Sequence, residues 1–226
     1  MAGMHEWLES VEHIRLEIDE VLDAPTSRVA MAERARSFND QLTDHQVDEL
    51  LDELERFVRG TPDLLELAGI EAETNGALEQ MQPLLNEAAM YFVEPDDLIP
   101  DHLGLYGLLD DAYLVQRFLL TASEHHQAEH GTPLLGEGLR PAVGVVRQWI
   151  GDEAADQLDA KVDTDVAKFP WAGVLVGAAL GLGALWLVGK ALSGGGDPTG
   201  GVGSWGNSHE AEMARLGASM GVSLSY

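Results

Sequence analysis

Cysteine is absent from all 226 residues, so the chain has no disulfide framework, no thiolate zinc site and no thiol nucleophile. Positive charge is nearly as scarce. Thirteen Lys and Arg oppose 39 Asp and Glu, the formal net charge is −26, and the lysines are Lys161, Lys168 and Lys190 alone. A field of that sign repels phosphate backbones and anionic headgroups, which argues against nucleic acid and against peripheral adsorption to a membrane surface. It favours cations and basic partners, and it suits solubility in high salt. The N-terminus, MAGMHEWLESVEHIRLEIDEV, turns acidic from Glu6 with no basic region before an apolar core, so it does not read as a signal peptide. Strand-length alternation and internal repeats are also missing. With 45 % hydrophobic residues available for a core, the expected fold class is all-α.

Apolar residues at spacings of three and four predict a helix over residues 4–23, with Trp7, Leu8, Val11, Ile14, Leu16, Ile18, Val21 and Leu22 on its stripe and Pro25 after it. A shorter helix covers 28–38. Thr43 and Gln46 form a capping-box pattern that opens a third helix, expected to end at Gly60–Pro62. Its charged run at residues 48–56 reads as a solvated face. A short helix then runs from Pro62 to Leu67 and breaks at Gly69. Another covers residues 77–93, stopped where Glu94 precedes Pro95. After Gly107 an almost wholly apolar helix runs to about Thr121 and should be buried. Residues 131–138 read as a loop, and 139–150 and 153–166 as two further helices.

Residues 170–189 carry no charge over twenty positions, enough at about 1.5 Å per residue to cross a hydrocarbon core of roughly 30 Å. Trp171 and Trp186 suit the two interfaces, with Lys168 and Lys190 as flanking charges. Within this expected transmembrane helix Gly173, Gly177 and Gly181 recur every fourth position, a flat ridge where a second helix could approach. The tail from Ser193 is rich in Gly and Ser.

The stretch from Tyr91 to Leu114 combines two prolines, two glycines and five aspartates between apolar runs, and predicts a buried helical hairpin with carboxylates at its corner. Asp96, Asp97, Asp101, Asp110 and Asp111 are hard oxygen donors suited to Mg²⁺ or Ca²⁺. The preferred reading is structural: Asp96 or Asp97 caps the turn, and Asp110 and Asp111 sit in the first turn of a helix at its positive dipole end. His126-Gln127-Ala128-Glu129-His130 fits the H-x-x-E-H pattern of inverted zinc peptidases, but without a third ligand it reads instead as an exposed helix end. The Gly-rich stretch 194–206 lacks the Lys-Ser/Thr of a phosphate loop, and no serine has a nucleophile-elbow context.

Pro95-Asp96-Asp97-Leu98-Ile99-Pro100-Asp101 followed by Gly107-Leu108-Leu109-Asp110-Asp111 resembles the signature of the YkvA-like domain family, a short domain of unknown function. The resemblance covers about residues 77–122. It departs at Gly104, where the family usually has proline, a change expected to loosen the loop. It implies a small helical hairpin common in membrane-associated bacterial proteins, with Asp97, Asp101, Asp110 and Asp111 as the motif positions of interest and no settled activity.

The expected architecture is a multi-helix bundle with one C-terminal transmembrane helix. Its parts are an acidic helical region (1–76), the hairpin (77–122), a helical connector (123–168), the span (169–190) and a flexible tail (191–226). The expected function is interaction or assembly at the cell membrane, without catalysis and without a cofactor, in a single-pass protein whose N-terminal bulk is cytoplasmic. Two rivals stand beside it. One is a metal-dependent enzyme using the divalent-cation set Asp97, Asp101, Asp110 and Asp111, or the His126/His130 pair. The other is a homo-oligomer built on Gly173, Gly177 and Gly181 that acts on the membrane.

Overall fold

The computed structural model describes residues 2–74, 78–92, 98–131 and 140–169. These form α1 (Ala2–Leu22), α2 (Val29–Phe38), α3 (Asp44–Thr74), α4 (Leu78–Met90), a 3₁₀ turn (Asp101–Leu103), α5 (Leu105–His130), α6 (Arg140–Ile150) and α7 (Asp152–Lys168). No strand occurs among the described residues, and the all-α expectation holds. The uncharged run 170–189, the ridge of Gly173, Gly177 and Gly181, and the tail lie outside them. Among the described residues, no helix is long and apolar enough to cross a membrane.

The expected break at Gly60–Pro62 is not there. α3 runs unbroken through Pro62 for 31 residues. A proline inside a helix removes one donor and crowds the carbonyl a turn earlier. Here the turn is held by side chains: the Thr61 hydroxyl donates to the Phe57 carbonyl at 3.1 Å, and the Gln116 amide of α5 donates to that carbonyl and to Thr61 Oγ1, at 3.3 and 2.9 Å. All of these groups are buried, so the links operate where water does not compete for them.

Gly69 does not break the helix either. Its missing side chain makes a slot, since a Cβ there would run into the indole of Trp7 from α1. Glycine inside a helix costs roughly 0.5–1 kcal/mol relative to alanine. That loss is set against burial of the largest side chain in the α1 stripe, and Trp7 is 2 % exposed. Leu16, expected on the same stripe, instead faces outward at 58 % exposure. Within the charged run 48–56, Glu53 is buried rather than solvated.

α5 is the axis of the bundle. It touches each of the other six helices, and from Gly104 to Leu120 only Tyr106 and Arg117 are not buried. One apolar cluster draws on all seven helices, with Trp7, Met31, Leu54, Leu85, Phe118, Trp149 and Leu158 among its members. The helix is longer than expected, reaching from Leu105 to His130. Its limits are set by glycines with positive φ: Gly104 before it, and Gly131, left-handed, whose N–H bonds the Gln127 carbonyl after it.

Candidate functional site

The corner before α5 is built from backbone first. Leu98 and Ile99 bend the chain, and the Leu103 N–H donates to the Pro100 carbonyl at 3.0 Å to close the 3₁₀ turn. Gly104 follows at φ +65°, a conformation L side chains rarely adopt and proline cannot reach. A Cβ on it would stand 2.5 Å from the Ser27 carbonyl oxygen and 2.6 Å from Ser27 Cα. The Leu105 N–H donates to that same oxygen at 2.8 Å. Ser27 is itself buried, and its hydroxyl donates to the Leu22 carbonyl at 2.8 Å. The glycine expected to loosen the loop therefore pins it, because only glycine lets the corner seat on the α1–α2 connection.

Asp110 supplies the second anchor. It is 1 % exposed, and its Oδ2 accepts the buried Ile99 N–H at 3.1 Å, eleven residues back in the chain. Because α5 begins at Leu105, Asp110 and Asp111 stand in its second turn, not the first, and no acidic residue occupies the first turn. The dipole account of these aspartates is corrected accordingly: Asp110 fixes loop backbone. Asp111 is also buried, and as the next residue on the helix it points about 100° away from Asp110. Asp97 lies outside the described residues. Asp101 opens the 3₁₀ turn, and its side chain lies outside them too.

His126 is buried, 2 % exposed, and so is not part of a solvated helix end. α5 continues to His130, so His126 stands a full turn inside the helix, on its buried side, while Gln127 and Ala128 next to it are exposed. The side chains of Glu129 and His130 are outside the described residues. Among the described residues, no three His, Asp or Glu gather in a way that could hold a metal ion.

Sequence reasoning missed the polar seam between α5 and α7. Tyr113 of α5 donates its hydroxyl to Asp159 Oδ1 at 2.8 Å, and Arg117 Nε reaches the same oxygen at 3.2 Å. Arg147 of α6 spans Asp156 and Asp159. At the end of α4, the Tyr91 hydroxyl donates to Asp165 Oδ2 at 3.0 Å, while Lys161 Nζ stands 5.0 Å from the Tyr91 ring centre. Burial pushes the Tyr113 hydroxyl up to about 12, and its hydrogen bond to Asp159 adds to the shift. The only signal in the sequence is that two positions of the apolar stripe carry tyrosine, a residue whose hydroxyl needs a partner when buried.

Arg34 is a second such device. It lies between the rings of Phe38 and Tyr106, 5.2 and 5.0 Å from their centres, and donates to the Trp149 and Ile150 carbonyls at the end of α6. Those carbonyls have no partner within the helix, so the guanidinium acts as its cap.

Tyr91, Gly104, Asp110 and Tyr113 fall together in one segment. Residues 88–115 match the family model described as a protein of unknown function (DUF1232). This is the same family as the YkvA-like resemblance, and the match is partial, taking in the end of α4, the corner and the first part of α5. No curated protein and no solved structure matches the chain.

Chemically, the described part of the corner is occupied with its own backbone. Asp110, Gly104 and Ser27 hold the loop to the bundle, and the face of α5 beyond them is covered by the other helices.

Proposed function

We propose that the chain is a membrane-anchored interaction or assembly protein, with the acidic bundle as its displayed domain and residues 170–189 as its anchor. The observation that carries the reading is the use made of the corner: Asp110 accepts a buried loop N–H, so the matched segment serves as a rigid axis for the bundle. An axial helix spent on holding the other six is suited to presenting a surface. The anchor reading is supported by twenty uncharged residues that begin two positions after the end of α7 at Lys168. On this reading the bundle lies on the cytoplasmic side, and the partner it meets is cationic, in keeping with the net charge of −26.

The test is extraction of membranes from expressing cells with alkaline carbonate. The wild-type chain is expected to stay with the membrane pellet. The double substitution Leu180→Arg and Leu182→Arg, each arginine costing about 3 kcal/mol at the centre of a span, is expected to release it. A wild-type chain found wholly in the supernatant overturns the anchor. Self-association through Gly173, Gly177 and Gly181 belongs to the same proposal, and Gly177→Leu is expected to remove higher-order species on crosslinking in the membrane.

A further inference from the structure

α1 carries an arrangement that neither the corner nor the anchor uses. His5, Glu9, His13 and Glu17 follow one another at intervals of four residues, and all four are exposed. They form one inclined ridge on the helix surface, opposite the buried stripe of Trp7, Val11, Ile14 and Ile18. Within the ridge the side chains are already paired: His5 Nε2 lies 3.2 Å from Glu9 Oε1, and His13 Nε2 lies 3.2 Å from Glu17 Oε1. Zinc bonds of 2.0–2.2 Å to nitrogen and oxygen at a tetrahedral angle place two ligand atoms about 3.3 Å apart. Each pair therefore has the bite of a two-ligand chelate for a borderline transition metal. Imidazole and carboxylate together suit Zn²⁺ or Co²⁺ better than Mg²⁺.

One chain supplies only half of a tetrahedral set at each pair, in line with the lack of any three-ligand group among the described residues. The order along the ridge supplies the rest. Read backwards, His-Glu-His-Glu becomes Glu-His-Glu-His, so an antiparallel second α1 sets Glu17 and His13 opposite His5 and Glu9. A two-fold axis then creates two equal sites, the isologous arrangement of a symmetric dimer. Leu16, one helical turn from His13 and the most exposed large apolar side chain among the described residues, lies on this same outward side. Glu12 and Glu20 flank it, and they repel a second acidic copy until bound cations offset their charge.

We propose that α1 is a transition-metal site shared between two copies of this chain, with His5 and Glu9 of one protomer and His13 and Glu17 of the other completing each N₂O₂ set. The site is independent of the anchor reading. His45 and Glu49 form a similar pair, 3.6 Å apart, but Gln41 and Glu53, the neighbours four positions away, do not extend it into a second chelate.

The experiment uses the full chain, stripped with EDTA and titrated with Co²⁺, whose visible absorption is strong in tetrahedral and weak in octahedral sites. Wild type is expected to develop the tetrahedral spectrum, with saturation at one ion per chain and displacement by Zn²⁺ but not by Mg²⁺. His5→Gln and His13→Gln, each alone, are expected to lose most of it, and His45→Gln to keep it. The sharing is tested by mixing. A pool of the His5→Gln and His13→Gln chains contains one intact site in every mixed dimer, so part of the tetrahedral absorption is expected to return. Absence of a tetrahedral spectrum in wild type, or no recovery on mixing, overturns the proposal. All four residues are exposed, so circular dichroism is expected to show unchanged helix content in every variant.

Discussion

Two regions of this protein use carboxylates in opposite ways. Where α3 meets α1 and the start of α2, charges pair at the surface. Arg15 donates to Asp63 and Glu66 at 2.9 Å each, Arg59 reaches back to Asp19 and Asp23, and Arg28 holds Asp52 and Glu55 at 2.8 and 2.6 Å. At the corner, one buried carboxylate addresses one buried backbone N–H. The difference lies in what remains when a partner is removed. A surface carboxylate that loses its arginine returns to water, whereas a loop N–H that loses Asp110 is left buried with no acceptor, which costs far more.

The comparison is broken most directly at Gly104. Gly104→Ala adds a Cβ against the Ser27 backbone and forces a side chain into positive φ, and a loss of about 3 kcal/mol is expected in urea unfolding. A loss no larger than that of an ordinary surface substitution would show that the corner is not seated on Ser27. Asp110→Ala comes next, with about 2 kcal/mol expected from the stranded Ile99 N–H. Asp110→Asn keeps an acceptor oxygen and should retain part of that stability, and the ranking of the two variants is the measurement that matters.

The polar seam of α5 and α7 sharpens the contrast through pH. Tyr113 has its hydroxyl pushed up to about 12 from 10.0, so the folded state holds its proton more tightly than the unfolded chain. Its contribution is complete below pH 10 and is lost as pH rises from 10 towards 12. Unfolding midpoints measured across that window should fall more steeply for wild type than for Tyr113→Phe, and phenolate absorption should lose a component titrating at about 12 in the variant. The smallest effect is expected at the surface seam. Arg59→Ala should cost less than about 1 kcal/mol, and the deficit should shrink further in high salt. A loss comparable with that of Asp110→Ala would erase the distinction between the two regions.

Much of the helical layout was legible because it rests on local pattern. The Thr43/Gln46 capping box is present, with the Gln46 N–H donating to Thr43 Oγ1 at 3.3 Å and the Thr43 N–H donating to Gln46 Oε1 at 3.0 Å. The burial of α5 followed from its nearly continuous apolar face. The departures from local pattern share one cause. In an isolated chain Pro62, Gly69 and Gly104 would break or loosen the backbone, and here each is instead governed by a residue distant in sequence: Gln116, Trp7 and Ser27. His126 differs from expectation because it faces the bundle while Gln127 and Ala128 beside it are exposed, a choice of face that tertiary packing makes.

By itself, the sequence determined that the described residues are all-α, that the charge is overwhelmingly acidic, and that a corner precedes the buried helix α5. These properties rest on composition and short-range periodicity. Only the tertiary structure decided that the corner's aspartate serves the loop, that its odd glycine is a fitted contact, and that two tyrosines of the apolar stripe hold α7 through its aspartates. A buried polar group is defined by the partner that satisfies it, and here those partners lie between 11 and 78 residues away along the chain.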